Sequence, residues 1–245
     1  VSVVFSQDSR TLVSADLSGR AIIWDTEAWE EKWRIMRGHN IPCATFSPDG
    51  KMLAVVVWNY GGRGAIELWN METRTLIREL SKDRFSPREI AFSPSGDSLA
   101  AIGSFDRVVV WNVTTGSKKL EFQAARSSHS TIAFSPDGKL LATGGHDGKI
   151  RLWSADSGQQ VATLQGHAFE VECLAFSPNQ MQLASAVGFK TDGRHHAQVF
   201  IWDIVKKEVL FRMTPVDETA NANRIGSRSE SPPDARTHDG DDVPN

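Results

Sequence analysis

One repeat constrains this chain more than any other feature of it. The pair Phe-Ser recurs at Phe5, Phe46, Phe92, Phe134 and Phe176, and each of these phenylalanines is followed seven positions later by a leucine: Leu12, Leu53, Leu99, Leu141 and Leu183. Each unit then reaches a tryptophan, at Trp24, Trp69, Trp111, Trp153 and Trp202, with Phe-to-Trp spacings of 19, 23, 19, 19 and 26. A period of this kind marks one supersecondary unit used repeatedly, and the two long spacings mark insertions in units two and five. Within a unit the apolar runs are short and β-like. In unit four they are Ile132-Ala133-Phe134, Leu140 to Thr143, Lys149 to Trp153 and Gln160 to Leu164, and nowhere does a 3.6-residue apolar period persist. Ser-Pro-Asp-Gly at residues 47–50 and 135–138 joins the first two runs. Its Pro presets φ, its Asp bonds its own backbone and its Gly supplies φ > 0. Asp147-Gly148 signals a tight hairpin between the second and third.

Four-stranded sheets this small cannot bury two apolar faces alone, so successive units must stack. The prediction is all-β: a β-propeller of four-stranded antiparallel blades. Five blades are present, at about residues 1–40, 41–86, 87–128, 129–170 and 171–214. Residues 215–245 differ in kind, with seven acids against three arginines and almost no large apolar side chain; they read as a disordered acidic tail. Over the whole chain 27 basic and 30 acidic residues leave a net charge of −3, so no chain-wide basic field points to nucleic acid. The longest apolar run, Met52–Trp58, is far short of the roughly 20 residues of a membrane span. Neither nucleic acid nor membrane is expected as a partner. Cys43 and Cys173 stand at equivalent positions of different units, too far apart to pair, and read as buried free thiols.

Gly38-His39 and Gly166-His167 ahead of the Phe-Ser pairs, Trp24-Asp25 and Trp202-Asp203 at unit ends, and the run from Leu141 to Trp153 together resemble the WD-repeat family. The resemblance covers residues 1 to about 213. It implies a structural tetrad in each blade, in which a His, a Ser or Thr, an Asp and the Trp are hydrogen-bonded. Its members here are His39, Thr143, Asp147, Trp153, His167, Ser185 and Trp202. No unit carries the full set: unit four has Ala125 near the His position, unit five lacks the turn Asp, and units two to four end in Trp-Asn, Trp-Asn and Trp-Ser. The family most often closes with seven blades. Because Val1 falls within a first strand, the expectation is a C-terminal fragment of a longer propeller whose other blades precede it, with a closed five-bladed ring as the alternative.

Alternation places the loops between strands two and three, and those between units, on one rim, here called the top. The Ser-Pro-Asp-Gly turns and the turns after the tryptophans form the bottom. The top rim gathers Arg37, Trp58, Tyr60, Arg63, Arg84, Phe85, Arg126, His129, His146, Phe169, Phe189, Lys190, Arg194 and His195, a mixture of Arg and aromatic residues suited to binding hot spots. The bottom rim collects Asp8, Asp25, Asp49, Asp97 and Asp137, so a basic top and an acidic bottom are expected. His195-His196 and His146 lack carboxylate or Cys support at ligand spacing, and no metal or other cofactor is expected. Nucleophile elbows and phosphate-cradling loops are missing. At the channel level the first strands offer Ser2, Cys43, Glu89, Thr131 and Cys173, and one carboxylate makes a poor active site.

The function this predicts is a non-catalytic scaffold in the cytoplasm. Its top rim would bind partner proteins or peptides, acidic or phosphorylated ones among them. The alternative is a regulatory or targeting propeller at the end of a larger signalling enzyme such as a protein kinase.

Overall fold

The structure is a computed structural model describing residues 2–59, 64–81, 85–124, 129–179, 181–191 and 194–213. The strands all lie in one compact unit that ends at Met213; the tail assigned to residues 215–245 lies outside the described residues.

Twenty strands form five four-stranded antiparallel sheets, each a simple meander. Blade one holds β1 (Ser2–Phe5), β2 (Thr11–Ala15), β3 (Arg20–Asp25) and β4 (Glu31–Met36). Blade two holds β5 (Ala44–Phe46), β6 (Met52–Trp58), β7 (Gly64–Asn70) and β8 (Leu76–Leu80). Blade three holds β9 (Pro87–Phe92), β10 (Ser98–Gly103), β11 (Arg107–Asn112) and β12 (Lys118–Gln123). Blade four holds β13 (His129–Phe134), β14 (Leu140–Gly145), β15 (Lys149–Ser154) and β16 (Gln160–Gln165), and blade five β17 (Val171–Phe176), β18 (Gln182–Thr191), β19 (Arg194–Asp203) and β20 (Glu208–Met213). The first strands β1, β5, β9, β13 and β17 neighbour one another in chain order, so each sheet radiates outward from its first strand. A closed ring is not shown among the described residues.

Stability lies in the seams between blades. Ala54, Val56, Ile66 and Leu68 of blade two pack on Leu99, Ala101, Val109 and Trp111 of blade three. Blade three turns its other face, Ala100, Ile102 and Val110, to Leu141 and Trp153 of blade four. Blade four in turn meets Leu183, Phe200 and Trp202 of blade five. In each seam the repeat Leu and Trp of one blade lie on its predecessor. Second strands are therefore apolar on both faces, which explains the unbroken run in β6, and each buried Leu contributes roughly 1.5–3 kcal/mol. Blade one has no such predecessor among the described residues: Leu12 and Trp24 are only half-buried, and Val3 and Phe5 are exposed.

The turn chemistry follows the sequence. Ser47 Oγ donates to Asp49 Oδ1 (2.6 Å) and accepts from the Met52 amide (2.9 Å), while Asp49 Oδ1 also takes the Lys51 amide (3.1 Å). Asp137 repeats the pattern with Ser135. Gly148, at φ +69, passes so close to the neighbouring connection that a Cβ there would lie 2.4 Å from the His167 carbonyl oxygen.

Candidate functional site

Four of the five blade tryptophans donate their indole N–H to a side chain of their own blade, and the acceptor varies. Trp24 reaches Ser14 Oγ at 2.9 Å, and Trp153 reaches Thr143 Oγ1 at 2.9 Å. In blade five, Trp202 donates to Ser185 Oγ (2.7 Å), and that hydroxyl lies 2.6 Å from His167 Nε2. The His167 ring stacks on Phe200 at 4.0 Å. Burial holds His167 neutral, pushing its pKa down to about 4 with help from the charge of Arg212. Ser185 Oγ accepts the Trp202 N–H and shares a hydrogen bond with His167 Nε2 whose direction is set by the imidazole tautomer, so the three side chains are linked through that one hydroxyl. His167, Ser185 and Trp202 are thus brought together, as are Thr143 and Trp153. Asp147 turns aside to pair with Arg151 (2.7 Å). His39 is half-buried beneath the first blade's hairpin, its carbonyl against Gly19.

Blade two uses charge instead. Val55 occupies the position of Ser14, Thr143 and Ser185, and Trp69 donates to Glu67 Oε2 (2.9 Å). Glu67 is buried, and Arg37 Nε bonds both its oxygens at 2.7 and 3.0 Å. The Arg37 guanidinium also lies 4.9 Å over the Trp69 ring. Arg37, expected on the binding rim, is therefore an internal brace: a carboxylate taken into a seam requires a cation beside it. The sequence signal for this was Glu67 within the apolar strand Gly64–Asn70.

Further rim assignments are corrected. Phe85 is fully buried, 5.9 Å from Trp111 in the seam between blades two and three, because a ring of that size gains more by filling the seam than by facing water. Trp58 is half-buried and donates to the Pro87 carbonyl at 2.6 Å, clasping blade two to blade three. His146 lies on the rim and meets Glu170 at 2.5 Å, and Phe169 is 37% exposed there. Tyr60, Arg63, Arg84 and Arg126 lie outside the described residues. The expected loop in unit five is a regular extension of the sheet: β18 and β19 continue past Val187↔Gln198 through Phe189↔His196, Lys190↔His195 and Thr191↔Arg194. The side chains of Phe189, Lys190, Arg194 and His195 fall outside the described set, as does that of His129, which opens β13. On the top, Arg20 pairs with Asp16 at 2.7 Å, and Arg37 and Arg151 are likewise paired. On the bottom, Asp8, Asp49 and Asp137 each accept a hydrogen bond from the serine two residues before them.

At the channel level, burial pushes Glu89 up to about 7 while its Oε2 accepts the Ile132 amide at 2.8 Å. Burial first, and Glu89 second, push the Cys43 thiol up to about 12. Cys173, expected to be buried, is an exposed free thiol. No group of three or more His, Cys, Asp or Glu among the described residues is placed to hold a metal ion, and no helix there is long and apolar enough to cross a membrane.

The family model "WD domain, G-beta repeat" matches residues 1–25, 117–154 and 158–203. These stretches of the chain are WD repeats. The three matched stretches contain the pairs in which the N–H of Trp24, Trp153 or Trp202 meets a Ser or Thr hydroxyl; Val55 and Ala101, which stand at the hydroxyl position of blades two and three, fall outside them. Among curated proteins, rat "Telomerase protein component 1" is 29% identical over 104 residues, which is 42% of this chain and 4% of that protein. The chain thus aligns with a small part of that relative. WD repeats serve in general as protein-interaction scaffolds, and they are generally non-catalytic.

Proposed function

We propose that these blades form a non-catalytic scaffold that captures partner proteins through the top rim. The observation carrying this reading is the β18–β19 hairpin. Beyond Val187 and Val199, where β17 and β20 leave off, it continues as a two-stranded ribbon. Four further residues at about 3.4 Å each make an arm of roughly 13 Å. No other described strand pairs with this ribbon, which adds little to the blade's own stability and offers backbone donors and acceptors to another chain. Lys190, Arg194 and His195 on the arm, with Arg63, Arg84 and Arg126, favour an acidic or phosphorylated segment.

The test is a photo-crosslinker placed at His196 on the arm and, separately, at Glu27 on the opposite rim. Crosslinks to partner protein from His196 and not from Glu27 are expected; the reverse pattern overturns the reading. Glu at Arg84 and Arg126 should weaken capture if the partner is acidic. The rat relative, in which the aligned region is 4% of the length, favours a second reading: the blades as the targeting module of a larger protein. There the same rim would bind and chemistry would reside elsewhere.

A further inference from the structure

On the rim opposite the arm, the ends of β1, β5 and β9 and the turns after them surround a cavity of about 670 Å³. Its walls combine apolar, partly rigid side chains, Phe46, Ile90 and Phe92 from the first strands and Pro48, Pro94 and Pro136 from three successive Ser-Pro turns, with polar surface from Gln7, Thr45 and Ser47. The turns interlock around it. A Cβ on Gly96 would touch Pro48, and one on Gly138 would touch Pro94, each at 3.5 Å. Prolines and seam-packed rings lose little freedom when a guest enters, so the cavity is preorganised.

Its edge is anionic. Gln7 and Ser47 line the cavity, and the next exposed residues are Asp8 and, past Pro48, Asp49. Both carboxylates are pinned by a serine hydroxyl at 2.6 Å and by an amide two residues on, and these bonds use Oδ1 in each. The second oxygen, Oδ2, is left for a donor from outside. Asp97 and Asp137 continue the ring on blades three and four, each held by its own serine. Serine hydrogen bonds keep Asp8, Asp49 and Asp137 below the usual carboxylate range. Arg10, Lys51, Lys119 and Lys139 stand near the four aspartates, so the field of the ring is short-ranged and acts on a group in contact with it.

We propose that this lower mouth binds a peptide segment of a partner protein in which one aliphatic side chain enters the cavity and flanking arginines or lysines meet the aspartates. Apolar depth fixes the central residue, and the oxygens left over at Asp8 and Asp49 select its neighbours. The site is separate from the top-rim reading and does not depend on it.

Blade five supplies a control already built into the chain. There Asn179 replaces the aspartate and makes the same two bonds, from Ser177 Oγ at 2.6 Å and the Met181 amide at 3.1 Å. Asn therefore keeps the turn and removes the charge. The experiment titrates the full 245-residue chain against end-capped fluorescent octapeptides centred on Arg-Leu-Arg, Arg-Ser-Arg or Glu-Leu-Glu, read by anisotropy. The Arg-Leu-Arg probe should bind at least tenfold more tightly than the other two. A variant combining Asp8→Asn and Asp49→Asn should bind it at least tenfold more weakly at an unchanged thermal midpoint. A native chain that gives no saturable binding overturns the proposal, as does equal affinity for Arg-Leu-Arg and Arg-Ser-Arg or indifference to the Asn variant. Peptide discrimination by the native chain stands whether or not the variant folds. Replacing residues 189–196 by a two-residue turn tests the top rim alone and should leave this binding intact.

Discussion

In blade five, Trp202 donates to Ser185 and Ser185 meets His167, all three within 2.7 Å of a partner and buried. At the matching position of blade two, Trp69 donates to Glu67, which Arg37 holds at 2.7 Å with 30% of the arginine side chain exposed. One indole N–H thus faces two kinds of acceptor. The neutral version is directional and indifferent to salt. The ionic version reaches farther, drawing in a residue 30 positions away, but takes a carboxylate into a seam that would be costly to leave unpaired. Because Val55 supplies no hydroxyl, the blade-two indole takes its acceptor from Glu67, two residues away on its own strand.

The comparison breaks most visibly at the rings themselves. Trp202→Ala removes a side chain that is 1% exposed and should cost about 3–5 kcal/mol, with Trp153→Ala close to it. Trp69, only half-buried, should cost less. Guanidinium denaturation checks the order; a loss under about 1 kcal/mol at Trp202 or Trp153 is incompatible with seams that carry the fold. Next come the acceptors. Ser185→Ala orphans a buried N–H and should cost about 1–3 kcal/mol. Glu67→Ala should cost a comparable amount in low salt, since a half-exposed arginine is partly resolvated. In urea titrations at 1 M NaCl only the Glu67 effect should shrink. Equal salt responses would mean that the two braces are not different in kind.

Two buried groups give opposite pH dependences. His167 titrates near 4 in the fold against an ordinary value of 6.5, so below pH 6.5 the unfolded chain binds the extra proton and stability falls as pH drops toward 4. Glu89 is raised to about 7 from 4.5, so between those values the folded chain holds the proton and stability falls as pH rises. His167→Gln should flatten the acid side of the stability profile and Glu89→Gln the neutral side. A profile unchanged by either substitution would contradict the burial assigned to that group.

Much of the fold was legible because a period repeated five times leaves few alternatives: the Phe, Leu and Trp positions specify which faces are apolar, and Asp-Gly and Pro-Asp-Gly place the turns. What sequence spacing could not convey is which side of a connection faces a seam. Phe85 and Arg37 lie between strands, where alternation gives no face, and both read as surface residues. Phe85 fills the seam beside Trp111, and Arg37 follows Glu67 inward. The unit-five insertion contains Gly193 and paired histidines and reads as a loop, yet Phe189-Lys190-Thr191 across from Arg194-His195-His196 is also a passable two-residue hairpin, and strand pairing already running from Gln182 simply continues.

The smallest expected difference concerns those two insertions. In blade two, Trp58 at the start of the extra length gives its indole N–H to the Pro87 carbonyl at 2.6 Å and its amide to the Asn40 carbonyl at 2.9 Å. In blade five the extra length extends away from the sheet. Trp58→Phe keeps the ring's apolar contacts and removes one hydrogen bond, so it should cost about 1 kcal/mol, read as a lower urea midpoint at unchanged slope. Shortening the blade-five hairpin to a two-residue turn removes only ribbon beyond the blade and should stay within about 0.5 kcal/mol. If the shortened hairpin proved the more destabilising of the two, the arm would be part of the fold, and the top-rim reading would lose the feature that supports it.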